Sequence, residues 1–192
     1  MKIAILGGSG KLGRGLAARL HSQEVLIGSR DPSKGVPYRE ASAGCDLAII
    51  TVPYSAQQDL LASLKVELTG KIVIDAIVPL NPSDPTQIRT ATGMSAAEEA
   101  AEAIPGAHVF AAFQTVSHRV LMRPEAVTDI LVAGGSVGRE VVLDLIRTMN
   151  LRPVSAGALV MAASIERLTA LLISINKTNK VKESSIRIDG LQ

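Results

Sequence analysis

The stretch that most constrains this chain is its beginning, where the apolar run Lys2-Ile3-Ala4-Ile5-Leu6 passes directly into Gly7-Gly8-Ser9-Gly10-Lys11-Leu12-Gly13. A short run that is apolar on both alternations reads as a strand covered on both faces, as in a parallel sheet. Gly8, Gly10 and Gly13 fit the spacing G-x-G-x-x-G: the first glycine makes a tight turn, the second lets backbone approach a pyrophosphate, and the third lets helix pack on strand. Lys11 to His21 reads as the following helix, with Leu12, Leu16 and Leu20 on one face and its N-terminal amides free for an anion. A second strand, Glu24 to Ile27, completes a βαβ unit within about thirty residues. A glycine turn alone also ends ordinary strands; the order strand, turn, helix, strand makes this one a dinucleotide site. The expected phosphate-side residues are Gly7, Gly8, Ser9, Gly10, Lys11, Leu12 and Gly13.

The end of the second strand selects the dinucleotide. NAD sites place an acid there to accept from the ribose 2′-hydroxyl, whereas a 2′-phosphate needs donors and positive charge. Here the chain reads Gly28-Ser29-Arg30, with Lys34 close behind. Ser29, Arg30 and Lys34 therefore point to NADP, with Arg30 presenting a planar fork to the phosphate. Asp31 precedes Pro32 and reads as the start of a turn rather than as the ribose acid.

Along the rest of the chain, strands are expected at 46–52, 71–76, 109–113, 129–133 and 152–155. Helices are expected at 56–66 with Ser55 as N-cap, at 95–104 with a Ser95–Glu98 capping box, at 138–150, and at 158–178. Residues 38–43 give one helical turn, 80–94 read as a long irregular segment, and 177–192 as a polar tail. The fold class is α/β: a Rossmann-type doubly wound, mostly parallel sheet with a small helical C-terminal part, divided as 1–156 for the dinucleotide-binding domain and 157–192 for the C-terminal helix and tail. Ligands of such sheets lie outside the carboxyl ends of the strands, which here bear Val52-Pro53, Ile77-Val78-Pro79 and Phe113-Gln114. The last helix carries an apolar stripe wider than one packing face requires, which implies burial or a homodimer interface.

Hydrophobic content of 47% and charge content of 20% describe a globular protein. A net charge of +2 with two Tyr, two Phe and no Trp leaves little for nucleic acid. The single Cys45 excludes an internal disulfide, no leader precedes the first strand, and the expected compartment is the cytoplasm. No membrane span is expected, since Glu166 and Arg167 interrupt the apolar stretch 156–175. His21, His108 and His118 stand apart, so no metal site is expected. No catalytic acid/base pair stands out either. Hydride exchange between two bound redox cofactors needs none, because it requires only that both be held face to face in a dry slot.

The stretch Ile5 to Ala17 together with Ile27-Gly28-Ser29-Arg30 resembles the NADP oxidoreductases that use the deazaflavin coenzyme factor 420. The likeness continues through Cys45-Asp46-Leu47-Ala48, Val78-Pro79 and Gly157-Ala158-Leu159 onward. The stretch 112–117 is also similar to the cytoplasmic reductase domain of membrane ferric reductases. The resemblance implies NADP held by the glycine turn, with Ser9, Ser29 and Arg30 at the 2′-phosphate, and a small-molecule redox acceptor, the deazaflavin, stacked on the nicotinamide. Three features differ from that family's pattern: a short connection between Arg30 and Asp46, a C-terminal segment 176–189 without glycines before Gly190, and Gln114 in place of His or Asn. Readings that keep NADP but change the acceptor to a flavin, ferric iron or a small imine, or that make the chain a non-catalytic NADP-binding redox sensor, stand beside it.

Overall fold

A computed structural model of the chain describes residues 1–90 and 92–191; Ala91, within the segment read as irregular, and Gln192, at the end of the tail, lie outside the described residues. The apolar runs become strands and the amphipathic segments between them helices: β1 (Lys2–Leu6), α1 (Lys11–Arg19), β2 (Glu24–Gly28), α2 (Tyr38–Ala43), β3 (Leu47–Ile50), α3 (Gln57–Leu64), β4 (Ile72–Asp75), β5 (Leu80–Asn81), β6 (Asp84–Ile88), α4 (Ala96–Ala103), β7 (His108–Ala111), α5 (His118–Leu121), β8 (Asp129–Gly134), α6 (Arg139–Thr148), β9 (Arg152–Gly157) and α7 (Ala162–Asn179). Single 3-10 turns at Tyr54–Ala56 and Leu159–Met161 lead into α3 and α7.

The sheet runs in the order β2-β1-β3-β4-β7-β8-β9, parallel from β2 to β7, with β8 antiparallel to β7 and parallel to β9. Because successive strand residues point to opposite faces, each strand feeds two cores. Ile3, Ile5, Leu47, Ile49, Ile74 and Phe110 pack with Leu16, Leu20, Val142 and Ile146 on one side. Ala4, Leu6, Ala48, Ile50 and Val73 pack with Leu61, Leu64, Ala100 and Ile104 on the other. A third cluster joins Ala111, Leu131 and Ala133 to Ala162 and Ile165 of α7.

Three local expectations change and one short helix is added. Ser55 does not cap α3: the 3-10 turn intervenes and Ala56 occupies the N-cap without a side-chain bond. The segment read as irregular forms the antiparallel hairpin β5–β6, where Asn81 and Asp84 side chains accept from the backbone of Ser83 and Thr86. Residues 118–121 form the short α5 behind the N-cap Ser117. The polar tail is docked rather than free. The Ile186 carbonyl accepts from Asp129 N at 3.0 Å, Ile188 N donates to Asp129 Oδ2 at 2.6 Å, and Arg152 bridges Asp129 to the Ile188 carbonyl. Ile186 and Ile188 interrupt the polar pattern and supply the apolar contacts that hold it. The Ser95–Glu98 capping box of α4 is present in full.

One buried cation ties the α1 side together. Arg19, at the C-terminal end of α1, is 4% exposed, and its guanidinium donates to the carbonyls of Val120, Leu121, Arg123, Ala126 and Met149. Burial lowers its pKa, the charge of Glu125 offsets part of that, and the carbonyl ends of α5 and α6 supply the rest of the negative potential it needs. Arg19→Leu would strand those acceptors in the interior and is expected to destabilise the fold by about 3 to 5 kcal/mol, read as a lower urea midpoint, with Arg19→Lys intermediate.

Candidate functional site

The chain leaves β1 toward β2 on one side and returns to β3 on the other, so a crevice opens where β1 and β3 end. Gly7 sits there at φ +89, and a Cβ on it would lie 3.0 Å from Thr51 Oγ1 and from backbone of Thr51 and Val52. The strand ends are laced together: Gly7 N donates to Gly28 O at 3.1 Å and Thr51 N to Leu6 O at 2.8 Å. Gly13 marks where α1 meets the turn, since a Cβ there would stand 2.5 Å from the Gly8 Cα. The N-cap of α1 is Gly10, without a side-chain cap and with no acid in the first turn, so the first amides of α1 keep their hydrogen-bonding capacity for an anionic group. Lys11 is exposed beside them, while Leu12 turns back into the core.

The end of β2 supplies the second half. Ser29, 6% exposed, accepts from Asp31 N at 3.1 Å, which leaves its hydroxyl proton for a ligand. Asp31 Oδ1 accepts from Ser33 N and Oγ, and Oδ2 is 2.7 Å from Lys34 Nζ. Lys34 and Ser33 hold this carboxyl well below the usual range, at about 2. Asp31 is thus committed to its own turn, and Arg30 is exposed at the mouth. Gly7, Ser9, Gly10, Ser29, Arg30, Lys34, Val52 and Pro53 border one cleft of about 510 Å³, with Asp31, Tyr38 and Thr51 completing it. It continues past Arg30, Tyr38, Val52 and Pro53 into a space of about 480 Å³ reaching Asp59 and Leu60. Gly8 and Ser9 also border a cavity with Arg14 and Lys34.

Pro53 also borders a third cleft of about 760 Å³, with Val78, Leu80, Pro82 and Arg89. Behind it lie the more deeply placed members of the expected set. Ile77, Phe113 and Gln114 are 3%, 1% and 5% exposed, and Pro79 is buried beside them. Phe113 adopts φ +74, a left-handed conformation rare outside glycine, which the surrounding core enforces. Gln114 donates from Nε2 to the Asp75 carbonyl at 2.8 Å and accepts at its own carbonyl from Thr169 Oγ1 of α7 at 3.0 Å.

Sequence reasoning missed the acidic floor beneath this wall. Asp75 is fully buried at the end of β4; Oδ1 accepts from Ile77 N at 2.9 Å and Oδ2 from Gln57 Nε2 at 2.7 Å. Burial pushes its carboxyl up to about 7. Glu166 of α7, 1% exposed, meets Ala97 N at 3.4 Å; burial and the nearby Asp75 push it to about 8. Glu99 accepts from Tyr54 Oη and Thr92 Oγ1. Asp75 closes an apolar run and Glu166 interrupts one, and those interruptions were the available signal. Tyr38, Thr51, Asp59 and Arg89 were also unanticipated and gave none. The described residues contain no group of three or more His, Cys, Asp or Glu able to hold a metal.

Residues 2–79 match the family described as NADP oxidoreductase coenzyme F420-dependent. The chain is 36% identical, over its full length and 99% of the relative, to the F420-dependent NADP reductase of Methanothermobacter marburgensis. It is 34% identical to that of Methanocaldococcus jannaschii, with both chains covered in full. A crystallised Arthrobacter sp. FB24 protein described as an F420-dependent NADP reductase superposes with a TM-score of 0.88 at 22% identity, covering 98% of this chain and 99% of that one, which demonstrates the shared fold.

Gly13→Ala is expected to push α1 off the turn, lowering stability by about 1 to 3 kcal/mol and weakening NADPH binding at least about tenfold. Calorimetric titration beside thermal unfolding checks both; an unchanged dissociation constant would separate α1 from the phosphate site.

Proposed function

Because the chain belongs to the family of coenzyme F420-dependent NADP oxidoreductases, we propose that it transfers a hydride between NADPH and coenzyme F420. The observation that carries the reading is the cleft in which an uncapped helix N-terminus, Ser29 and the cations Arg30 and Lys34 meet around the glycine turn. The residues suit NADP: the Gly8–Gly13 contact leaves no room for a side chain between helix and turn, and the 2′-side offers donors where an NAD site offers an acceptor.

In this reading Gly7, Gly8, Ser9, Gly10, Lys11, Leu12 and Gly13 form the pyrophosphate cradle, and Ser29, Arg30 and Lys34 hold the 2′-phosphate. When bound, NADPH supplies a hydride, the deazaflavin accepts it, and one proton is taken from the medium. Val52, Pro53, Ile77, Val78, Pro79, Phe113 and Gln114 form the wall and floor at the nicotinamide end. Their burial excludes water and fixes the approach of the two rings, so no side chain is needed as acid or base. The floor is stiff because Gln114 is clamped at both ends, to Asp75 and to Thr169.

We also assign residues 1–156 to dinucleotide binding and 157–192 to a C-terminal part that completes the acceptor side. By length and composition the helix Leu159–Asn179 could cross a membrane, but it holds Glu166 buried against α4. Its outer face, with Val160, Met161, Leu171 and Ile175 exposed, suits a second copy of the chain. A cytoplasmic homodimer follows from this reading.

The experiment is a titration with NADPH and NADH, followed by oxidised coenzyme F420 added to the NADPH complex. Bleaching of the deazaflavin absorbance is expected; tight NADPH binding without bleaching would refute the acceptor. Arg30→Ala is expected to weaken NADPH binding by about 1 to 3 kcal/mol with little effect on NADH. Equal losses for both dinucleotides would overturn the 2′-phosphate assignment.

A further inference from the structure

The buried acids beneath the nicotinamide wall have no counter-charge. Asp75 comes from β4, Glu99 from α4 and Glu166 from α7, and none of them forms an ion pair with a described Lys, Arg or His. The other charged groups nearby do not supply one. Glu98 of α4 is occupied by the Ser95 cap, Arg167 is exposed and borders a surface cleft with Thr86 and Gln87, and Asp84 of β6 is bound to those two side chains. Three anions without a cation in such an interior repel one another and lose hydration, so the wedge holds fewer charges than carboxyls.

The hydrogen bonds identify where a proton belongs. Both Asp75 oxygens already accept, from Ile77 N and Gln57 Nε2, and Glu99 accepts from Tyr54 and Thr92. Glu166 turns Oε1 to the first-turn amides of α4, with Ala97 N at 3.4 Å and Ala96 beside it, and Oε2 is buried with no partner. Two further buried acceptors, Gln57 Oε1 and Gln114 Oε1, also lack donors. Gln57 cannot remedy this by flipping, because its Nε2 serves both Asp75 Oδ2 and the Ala96 carbonyl, at 2.7 and 2.8 Å. An interior rich in unsatisfied acceptors has room for one more O–H, and Glu166 Oε2 is the carboxyl oxygen free to carry it.

We propose that Glu166 is a positioning residue whose neutral, protonated carboxyl seats α7 against the first turn of α4 and the end of β4, and so holds the Ile77–Pro79 wall and Gln114 in register for hydride transfer. The route is short. Glu166 meets α4 at Ala97, the adjacent Ala96 carbonyl is tied through Gln57 to Asp75, and Asp75 holds Ile77 N; on α7 itself Thr169, one turn on, holds the Gln114 carbonyl. Ionising Glu166 places an uncompensated anion in the interior beside Asp75, and its need for hydration, which the Ala97 and Ala96 amides offset only in part, draws α7 away from its seat. The raised proton affinity that burial and Asp75 give Glu166 puts this transition just above neutral pH.

The inference rests on the NADP-site reading for its functional arm, but its proton is read on the protein alone. The infrared band of a protonated carboxyl is followed against pH in wild type, Glu166→Gln and Asp75→Asn. Initial rates at saturating cofactors, or the NADPH dissociation constant where no acceptor turns over, are followed over the same range. Wild type should show the band at neutral pH and lose it above about pH 8, with rate or affinity falling in parallel, about tenfold in rate per pH unit for one ionisation. Glu166→Gln, an uncharged isostere, should lose the part of the band that outlasts Asp75, whose own buried carboxyl is pushed only to about 7, and should lose the alkaline fall. Asp75→Asn, which removes the neighbouring anion, should move the band's titration to lower pH, and it serves as the second variant if Glu166→Gln does not fold. Wild-type stability should likewise decline from about pH 4 to pH 8, since the native state keeps a proton there that the unfolded chain has released; the slope should flatten in Glu166→Gln. A band unaltered by Glu166→Gln overturns the proposal, and so does a lost band with the alkaline fall intact. Failure of coenzyme F420 reduction with band and affinity behaving as described would strike the acceptor assignment alone.

Discussion

The seating of α1 on the glycine turn is the constraint on which the rest depends. At Gly13 the helix backbone touches the Gly8 backbone, closer than any side chain permits, and at its other end Arg19 fastens the helix to the carbonyl ends of α5 and α6. A helix held at both ends cannot tilt, so its uncapped amides keep a fixed aim at the crevice. For the anion proposed to bind there, such an aim means that the ordering cost of the donors is met in folding rather than on binding. β1 transmits the same rigidity sideways, lying between β2 and β3, whose ends carry the other walls of the cleft.

The two ends of the crevice are built on opposite principles. The glycine-turn end is open and cationic, and Asp31 there is consumed locally by Ser33 and Lys34. The end lined by Ile77, Phe113 and Gln114 is buried, and its polarity is hidden one layer down, where Asp75, Gln57, Gln114 and Glu166 connect β4, β7, α4 and α7. Screening weakens interactions at the first end and hardly touches the second, so affinity for the dinucleotide should depend on salt while the geometry of the wall should not.

The sheet was legible because its strands are apolar on both faces and its helices amphipathic; the structure then sends Ile3 and Ile5 to one core and Ala4 and Leu6 to the other. The glycine turn was legible because its spacing states a steric requirement. What periodicity could not show was pairing at long range. Nothing local distinguishes Arg19 from a surface arginine at a helix end, although it meets carbonyls a hundred residues away. Nothing local shows that Ile186 and Ile188 dock a tail that composition marks as solvated, since the partner is Asp129, through its backbone N–H and its side-chain carboxylate. The hairpin at 80–88 escaped for a different reason: two prolines and a two-residue strand carry almost no pattern.

The short connection after Arg30, which departs from the family's pattern, shapes the cleft. From β2 the chain must cross over β1 to reach β3, and here it does so with the single six-residue α2. Instead of arching away, the loop folds back on β2: Val36 N donates to Ile27 O and Ser29 N to Val36 O, each at 2.9 Å. Such a tight return delivers Tyr38, the first residue of α2, to the rim of the cleft beside Arg30 and Pro53. A longer crossover would place a helix further out and leave that rim to solvent. The short connection therefore brings Tyr38 to the cationic end of the cleft while strand register runs unbroken from β2 through β1 to β3.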